Sequence, residues 1–430
     1  MSAVTRLSEC RFKFSFRMPG RFPAAMLISS LLYLSGNWVF AEDATNKVQL
    51  GEASLTSGIA GEDDLKHGEI EAWISDPANH KELEFKLPLG LSAGQGMIRG
   101  VNENPLTRAK IELGRQLFFD TRLSGDNTVS CASCHRPDHG YAAPTPFGVG
   151  IRDQLTGVNS PTSYNRILSD AQFWDGRANS LEEQAKGPIA APGEMGNTHE
   201  QAVKTIEGID GYKKQFIAVF PKDGITIDTI AKAIASFERA IVTGPSPFDY
   251  AEALRPYEDY EDEDFAELLE EDPEDYTRYM KLKELAEKNP MSESALRGRE
   301  LFFSEKTNCT ACHVGANLTD EKYHNIGIGM LDDEPLAGRM GVTENKEHFG
   351  AFKTPTIRNV ALTPPYMHDG SMATLEEVVD HYVKGGHPNT NLSKDILKLD
   401  LSPQEEADLV EFMKACSGPL PQVEERRLPQ

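Results

Sequence analysis

Apolar residues recur at helical spacing in four stretches that fall into two pairs. One stretch starts near Thr107 and carries Leu113-Gly114-Arg115-Gln116-Leu117-Phe118-Phe119-Asp120; another starts near Ser292 and carries Arg297-Gly298-Arg299-Glu300-Leu301-Phe302-Phe303-Ser304. Each precedes a Cys-x-x-Cys-His string, and each half closes on a second amphipathic stretch, Ile230 to Val242 in the first and Glu405 to Ala415 in the second. The unit of helix, motif, loops and closing helix therefore occurs twice. It predicts a mainly α fold of two related helical domains, 105–247 and 291–430, the repeat itself ending near 420. Residues 42–104 carry no chemical motif, and Pro88-Leu89-Gly90-Leu91 predicts an extended N-terminal arm lying over the first domain.

One apolar run breaks the helical pattern. Ala24 to Ser35 follows Arg6, Arg11, Lys13, Arg17 and Arg21, and Val39-Phe40-Ala41 offers small residues at the −3 and −1 positions. This is the order of a secretory signal over 1–41, cut before Glu42, with an uncleaved anchor as the rival reading. The run is too short to span a bilayer, and no other stretch is long and apolar enough to do so. The expected compartment is the periplasm.

Composition narrows the partners. Asp plus Glu number 67 against 44 Lys plus Arg, a net charge of −23 over 430 residues. Removing the signal takes away five basic residues and one acid (Glu9), leaving −27. So acidic a surface repels phosphate backbones and excludes nucleic acid, but suits a basic protein. The charge concentrates in an insertion, 248–290, where twelve of the eighteen residues from Glu258 to Asp275 are acidic. That run reads as a solvated linker or frayed helix, or as a docking patch for a basic redox partner.

Six cysteines are too few for a disulfide scaffold, and four of them lie in two pairs. Cys131-Ala132-Ser133-Cys134-His135 and Cys309-Thr310-Ala311-Cys312-His313 have the spacing that joins two thiols to the vinyl groups of one haem and sets the histidine beneath its iron. A redox dithiol does not require the histidine. A Cys₄ zinc site would leave both histidines unexplained. Two covalent haem c groups are the reading.

With these motifs the chain resembles the bacterial di-haem cytochrome c peroxidases, including their MauG-like branch, which acts in methylamine utilisation and related protein oxidations. The resemblance covers about 88–420. It is carried by Glu112 to Leu123, by Phe173-Trp174-Asp175-Gly176-Arg177, by Gly187-Pro188 through Glu194-Met195-Gly196, and by Thr354 to Tyr382. It implies two cytochrome-c-like helical domains whose haems face a shared interface, the first haem meeting peroxide and the second passing electrons.

The resemblance also implies roles. Trp174 would relay electrons between the haems. Glu194 would move a proton between the oxygens of peroxide, a task for a carboxylate whose pKa a partly apolar pocket has raised. Gln184 and Pro188 would line the same pocket. The family's conventional members carry a switching histidine distal to the first haem; here Ile151 takes that place, and His139 is too close to the proximal ligand to cross. The first haem is therefore expected to be five-coordinate. The second haem usually takes a distal Met fourteen residues after a histidine matching His368. Here that position is Tyr382, as in MauG-like proteins, with His381 as the rival iron ligand. Asn159, Thr363 and Pro365 match family positions that hold calcium between the domains. His368 is expected near the second haem. His67, His80, His199, His324, His348 and His387 are expected on the surface.

Three functions follow as expectations. The first is hydrogen peroxide reduction with electrons from a small cytochrome c or cupredoxin through the second haem. The second is MauG-like oxidation of Trp or Tyr side chains on a partner protein. The third is electron carriage without catalysis.

Overall fold

The computed structural model describes residues 47–430, so the expected signal over 1–41 lies outside the described residues. The described chain is mainly helical, with two short two-stranded ladders. The paired helices stand where the apolar spacing puts them. Thr107 Oγ1 accepts from Lys110 N and Ser292 Oγ accepts from Ala295 N, capping helices Arg108–Phe119 and Glu293–Phe302. The closing helices are Ile227–Ala240 and Pro403–Ala415.

Each opening helix crosses its closing helix at a glycine. A Cβ on Gly114 would stand 1.8 Å from Ala233 O, and one on Gly298 would stand 1.8 Å from Asp408 O. Phe237 and Phe412, each four residues further along the closing helix, flank the two crossings. The sequence repeat thus encodes a packing repeat, with a glycine at each of the two crossings. Gly298→Ala should cost ~1–3 kcal/mol of stability through overpacking, more than alanine returns as a better helix former. Denaturant melts of the two proteins measure it, and an equal or higher midpoint for the variant would refute the tight crossing.

Two large hydrophobic cores result among the described residues, beside a small cluster of Ile59, Leu65 and Ile70 in the arm. The first gathers Leu113, Phe118, Phe216 and Phe237; the second gathers Phe248, Phe302, Val410 and Phe412. The arm adds Leu50, Leu87 and Leu91 to the first core, and its strand Lys47–Gln49 pairs in parallel with Glu84–Lys86. The C-terminal tail returns to the same core with Leu420, Val423 and Leu428, and Arg115 holds it by donating to the carbonyls of Glu424 and Arg427.

The acidic run is more ordered than its charge predicts. It forms helices Asp262–Glu271 and Pro273–Lys288, joined at Asp272, whose side chain caps the second. The cause is a ring cluster scattered thinly through the acids. Phe265 stacks on Tyr279 at 4.4 Å, and Tyr257 packs on Tyr279 at 5.0 Å. The run is solvated as expected, with no buried residue in Asp262–Glu271, but it is two formed helices rather than a linker or a frayed helix. No helix among the described residues is long and apolar enough to cross a membrane.

Candidate functional site

Both Cys-x-x-Cys-His strings open onto one long cavity where the two cores meet. Cys131–Cys134 makes a single helical turn behind Ser130, and His135 ends it. The His135 Nδ1 donates to Tyr141 O at 3.2 Å, and the His313 Nδ1 donates to Leu318 O at 3.0 Å. A carbonyl can only accept, so each ring keeps its proton on Nδ1 and leaves the Nε2 lone pair free for a metal. Burial pushes both imidazoles down, keeping them neutral. Burial also pushes all four thiols up, Cys312 to about 12. Such thiols are poor redox nucleophiles. Among the described residues the one tight group of metal-type donors is Cys312, Asp320 and His324, within 4.8 Å of one another. The two cysteine pairs do not come together as a zinc site needs.

This donor set fits haem c. Free thiols, a neutral imidazole with an open Nε2 and an apolar cavity occur together at both motifs. The wall also carries an orphaned polar atom, the buried Glu238 Oε2, at the first motif's end.

The first motif's side of the cavity holds the expected acid. Helix Leu181–Ala190 sets Gln184 and Pro188 one turn apart on the cavity wall. Glu194 follows in a turn held by its own N–H to Ala191 O and by Ile151 N–H to its carbonyl, at 3.0 and 2.8 Å. Burial raises the Glu194 carboxyl above its ordinary value, and the nearby Arg177 opposes part of the rise. The Arg177 guanidinium sits over the Phe173 ring, 3.6 Å from its centroid, and lines the same cavity. Its bearing on Glu194 was not drawn from the sequence, although it sits in the Phe173–Arg177 string. Ile151 is buried, and a Cβ on Gly196 would meet its Cδ1 at 2.1 Å. An apolar side chain thus packs beside the acid where a histidine could have reached in.

Trp174 is tied into the seam between the halves. Its Nε1 donates to Asn159 O at 2.8 Å, and Lys353 N donates to its carbonyl at 2.7 Å. Asn159 N in turn donates to His368 O at 2.7 Å. His368 stacks on Phe352 at 3.6 Å and meets Trp174 edge-on at 6.5 Å. Asn159, Thr363 and Pro365 come to the same wall, with the Asn159 amide donating to Thr145 O and Pro146 O.

On the second motif's side, helix Leu375–Lys384 turns Tyr382 into the cavity near Cys309 and Cys312. Its neighbour His381 is engaged elsewhere, its Nε2 2.9 Å from Ile326 O. His139 is likewise committed, through Nε2 to Pro364 O. Four histidines depart from the surface reading: His80, His199 and His348 are half-buried, and the fourth reaches the cavity. His324 lines the cavity beside the second motif, half-buried, with Nε2 2.9 Å from Asp320 Oδ2. The ladder pairing Tyr323–His324 with Phe352–Lys353 turns it inward, a placement that local polarity does not reveal.

Comparison with known proteins agrees with this architecture. The family described as di-haem cytochrome c peroxidase matches residues 108–255. A cytochrome c551 peroxidase of Nitrosomonas europaea is 36% identical over 72% of this chain and 80% of its own. The methylamine utilization protein MauG of Methylophilus methylotrophus is 34% identical over 76% of this chain and 88% of its own. The crystal structure of a MauG-like protein associated with microbial copper homeostasis superposes with a TM-score of 0.63 at 29% identity, covering 75% of this chain and 93% of that one. With two motifs built for haem on one cavity and relatives of this closeness along most of its length, the chain belongs to the di-haem cytochrome c peroxidase family.

Proposed function

We propose that this protein is a periplasmic oxidoreductase that reduces hydrogen peroxide to water with electrons from a small redox protein, a cytochrome c or a cupredoxin. The balance is one peroxide, two electrons and two protons to two waters. The observation that carries the reading is the common cavity: Glu194, Gln184 and Pro188 at the first motif, Tyr382 at the second, and Trp174 in the seam.

Two covalently bound haems, held by Cys131, Cys134 and His135 and by Cys309, Cys312, His313 and Tyr382, supply the iron redox chemistry. The protein's own part is positioning and proton handling. Glu194 takes the proton from one peroxide oxygen and returns it to the other, which its raised pKa favours. Gln184 and Pro188 fix the pocket's shape around it. Ile151 keeps that pocket free of a competing ligand. Trp174, large and oxidisable, bridges the halves with its indole anchored to Asn159. A calcium ion at Asn159, Thr363 and Pro365 would hold the same seam through oxygen donors.

The second reading, oxidation of Trp or Tyr side chains on a partner protein, is favoured by Ile151 and Tyr382 together, the arrangement the sequence shares with MauG-like proteins. A plain electron carrier has no use for the acid at Glu194.

One set of measurements separates the three. Mass spectrometry should find a haem adduct on each motif peptide, and Cys309→Ala with Cys312→Ala should leave one. Steady-state peroxide consumption with a reduced small cytochrome or cupredoxin should then be catalytic. No turnover with two haems attached would leave the carrier. Turnover only alongside new oxidised Trp or Tyr in a co-purified protein would establish the second reading.

A further inference from the structure

The cavity wall carries two buried basic groups with one paired carboxylate where the two halves meet. Arg166 of the first half and Lys353 of the second both line the cavity, and both donate to one backbone oxygen, Ala171 O, at 3.0 and 2.6 Å. Between them they have one carboxylate. Glu321 Oε2 is 3.3 Å from the Lys353 ammonium, and Glu321 Oε1 is 3.9 Å from the Arg166 guanidinium. The Glu321 Oε1 also accepts from Ser169 Oγ at 2.9 Å. The side chains are sheltered, Lys353 6%, Glu321 7% and Arg166 15% exposed.

No other nearby acid closes the balance. Asp170 is solvent-exposed and pairs with Arg99. Glu238 shares the cavity wall, but its Oε2 is unpartnered and it forms no ion pair with Arg166 or Lys353. Gln172 gives Arg166 Nε an amide oxygen at 2.8 Å, which carries no charge. Two buried basic side chains therefore share one paired carboxylate. An uncompensated buried charge costs several kcal/mol, so such sites are built around a counter-ion. Burial and the neighbouring Arg166 push the Lys353 ammonium down to about 7, the response of a cation short of counter-charge.

We infer that Arg166 and Lys353 form a carboxylate-binding subsite, one cation from each half, that takes a propionate of one of the two haems. This rests on the reading that two haems occupy the cavity. Arginine offers a planar fork to a carboxylate and lysine a point charge, so the pair suits a single carboxylate presented from the cavity side. Because Lys353 also donates its N–H to the Trp174 carbonyl, the subsite fastens a haem edge to the turn that carries the proposed relay.

The test uses the full-length, haem-loaded protein and its variants Lys353→Met and Lys353→Arg. Haem is counted by the pyridine haemochrome assay, and both midpoint potentials are read by spectroelectrochemical titration. Lys353→Met should keep two haems and make reduction of one of them roughly tenfold less favourable, ~59 mV for one electron, because a nearby cation favours the reduced form. Lys353→Arg should restore the wild-type value. Whichever potential moves names the haem whose propionate is held. Glu321→Gln leaves both cations and should shift the same potential the opposite way, which keeps the test decisive if Lys353→Met does not fold. Two haems with both potentials unchanged, or shifted equally, would overturn the subsite and leave the cluster a seam between halves. Fewer than two haems in the parent protein would instead overturn the reading on which it rests.

Discussion

Glu194→Gln is expected to slow peroxide consumption by ~10²–10⁴ while leaving haem content unchanged, the usual worth of a positioned general acid–base. The substitution preserves shape, and its backbone stays held by Ala191 O and Ile151 N–H. What it removes is the ability to accept and return a proton. The same residue sets a pH dependence whose sign is fixed by the structure. Burial raises the Glu194 carboxyl, Arg177 offsetting part of that. The group must begin as the carboxylate, so the rate should fall as pH drops through a pKa lying above the ordinary carboxylate range. That acid limb should vanish in Glu194→Gln, and it should move upward in Arg177→Gln, which removes the opposing cation. A rate change under threefold in Glu194→Gln, or an acid limb that survives it, would take Glu194 out of the mechanism.

How far the sequence reaches is seen best at residues where it succeeds and fails side by side. The opening helices were legible because their signals are local: a capping Thr or Ser, apolar spacing, and a glycine repeated at the same step. Cys-x-x-Cys-His is legible for the same reason, since five consecutive residues carry the whole chemical requirement. Tyr382 required a register count from His368, and the helix Leu375–Lys384 does turn it into the cavity. Arg166, Glu321 and Lys353 could not be paired in advance, because they lie on three distant segments and each alone reads as surface charge. His324 failed for a related reason: only the ladder to Phe352–Lys353 turns it inward. The acidic run misled because its aromatic residues are outnumbered by acids, while folding energy follows the rings.

Because Ile151 and Tyr382 flank the two motifs' sites, the fully oxidised protein should consume stoichiometric peroxide without prior reduction. A conventional relative with a histidine over its first haem must first be half-reduced to free that position. Here the equivalent loop presents Ile151, a side chain that cannot ligate iron, packed on Gly196 and hydrogen-bonded through its N–H to Glu194. The ferric protein should therefore show one high-spin and one low-spin haem before peroxide is added. Tyr382 supplies the second half of the expectation. A phenolate stabilises ferric iron, whereas a thioether raises the potential. Tyr382→Met should accordingly keep the second haem six-coordinate and raise its midpoint by on the order of 0.1 V, since axial-ligand identity tunes haem potentials over ~0.8 V. The variant should also lose the reaction of the oxidised form while keeping turnover with a reduced donor. Two low-spin haems, inert to peroxide until reduced, would refute the assignment. The alternative ligands would then have to leave good partners, since His381 would give up Ile326 O and His139 would give up Pro364 O. Those bonds are made by the Nε2 atoms, and neither ring lines the cavity. Of the residues near the second motif, Tyr382 reaches the site without breaking a hydrogen bond of its own side chain.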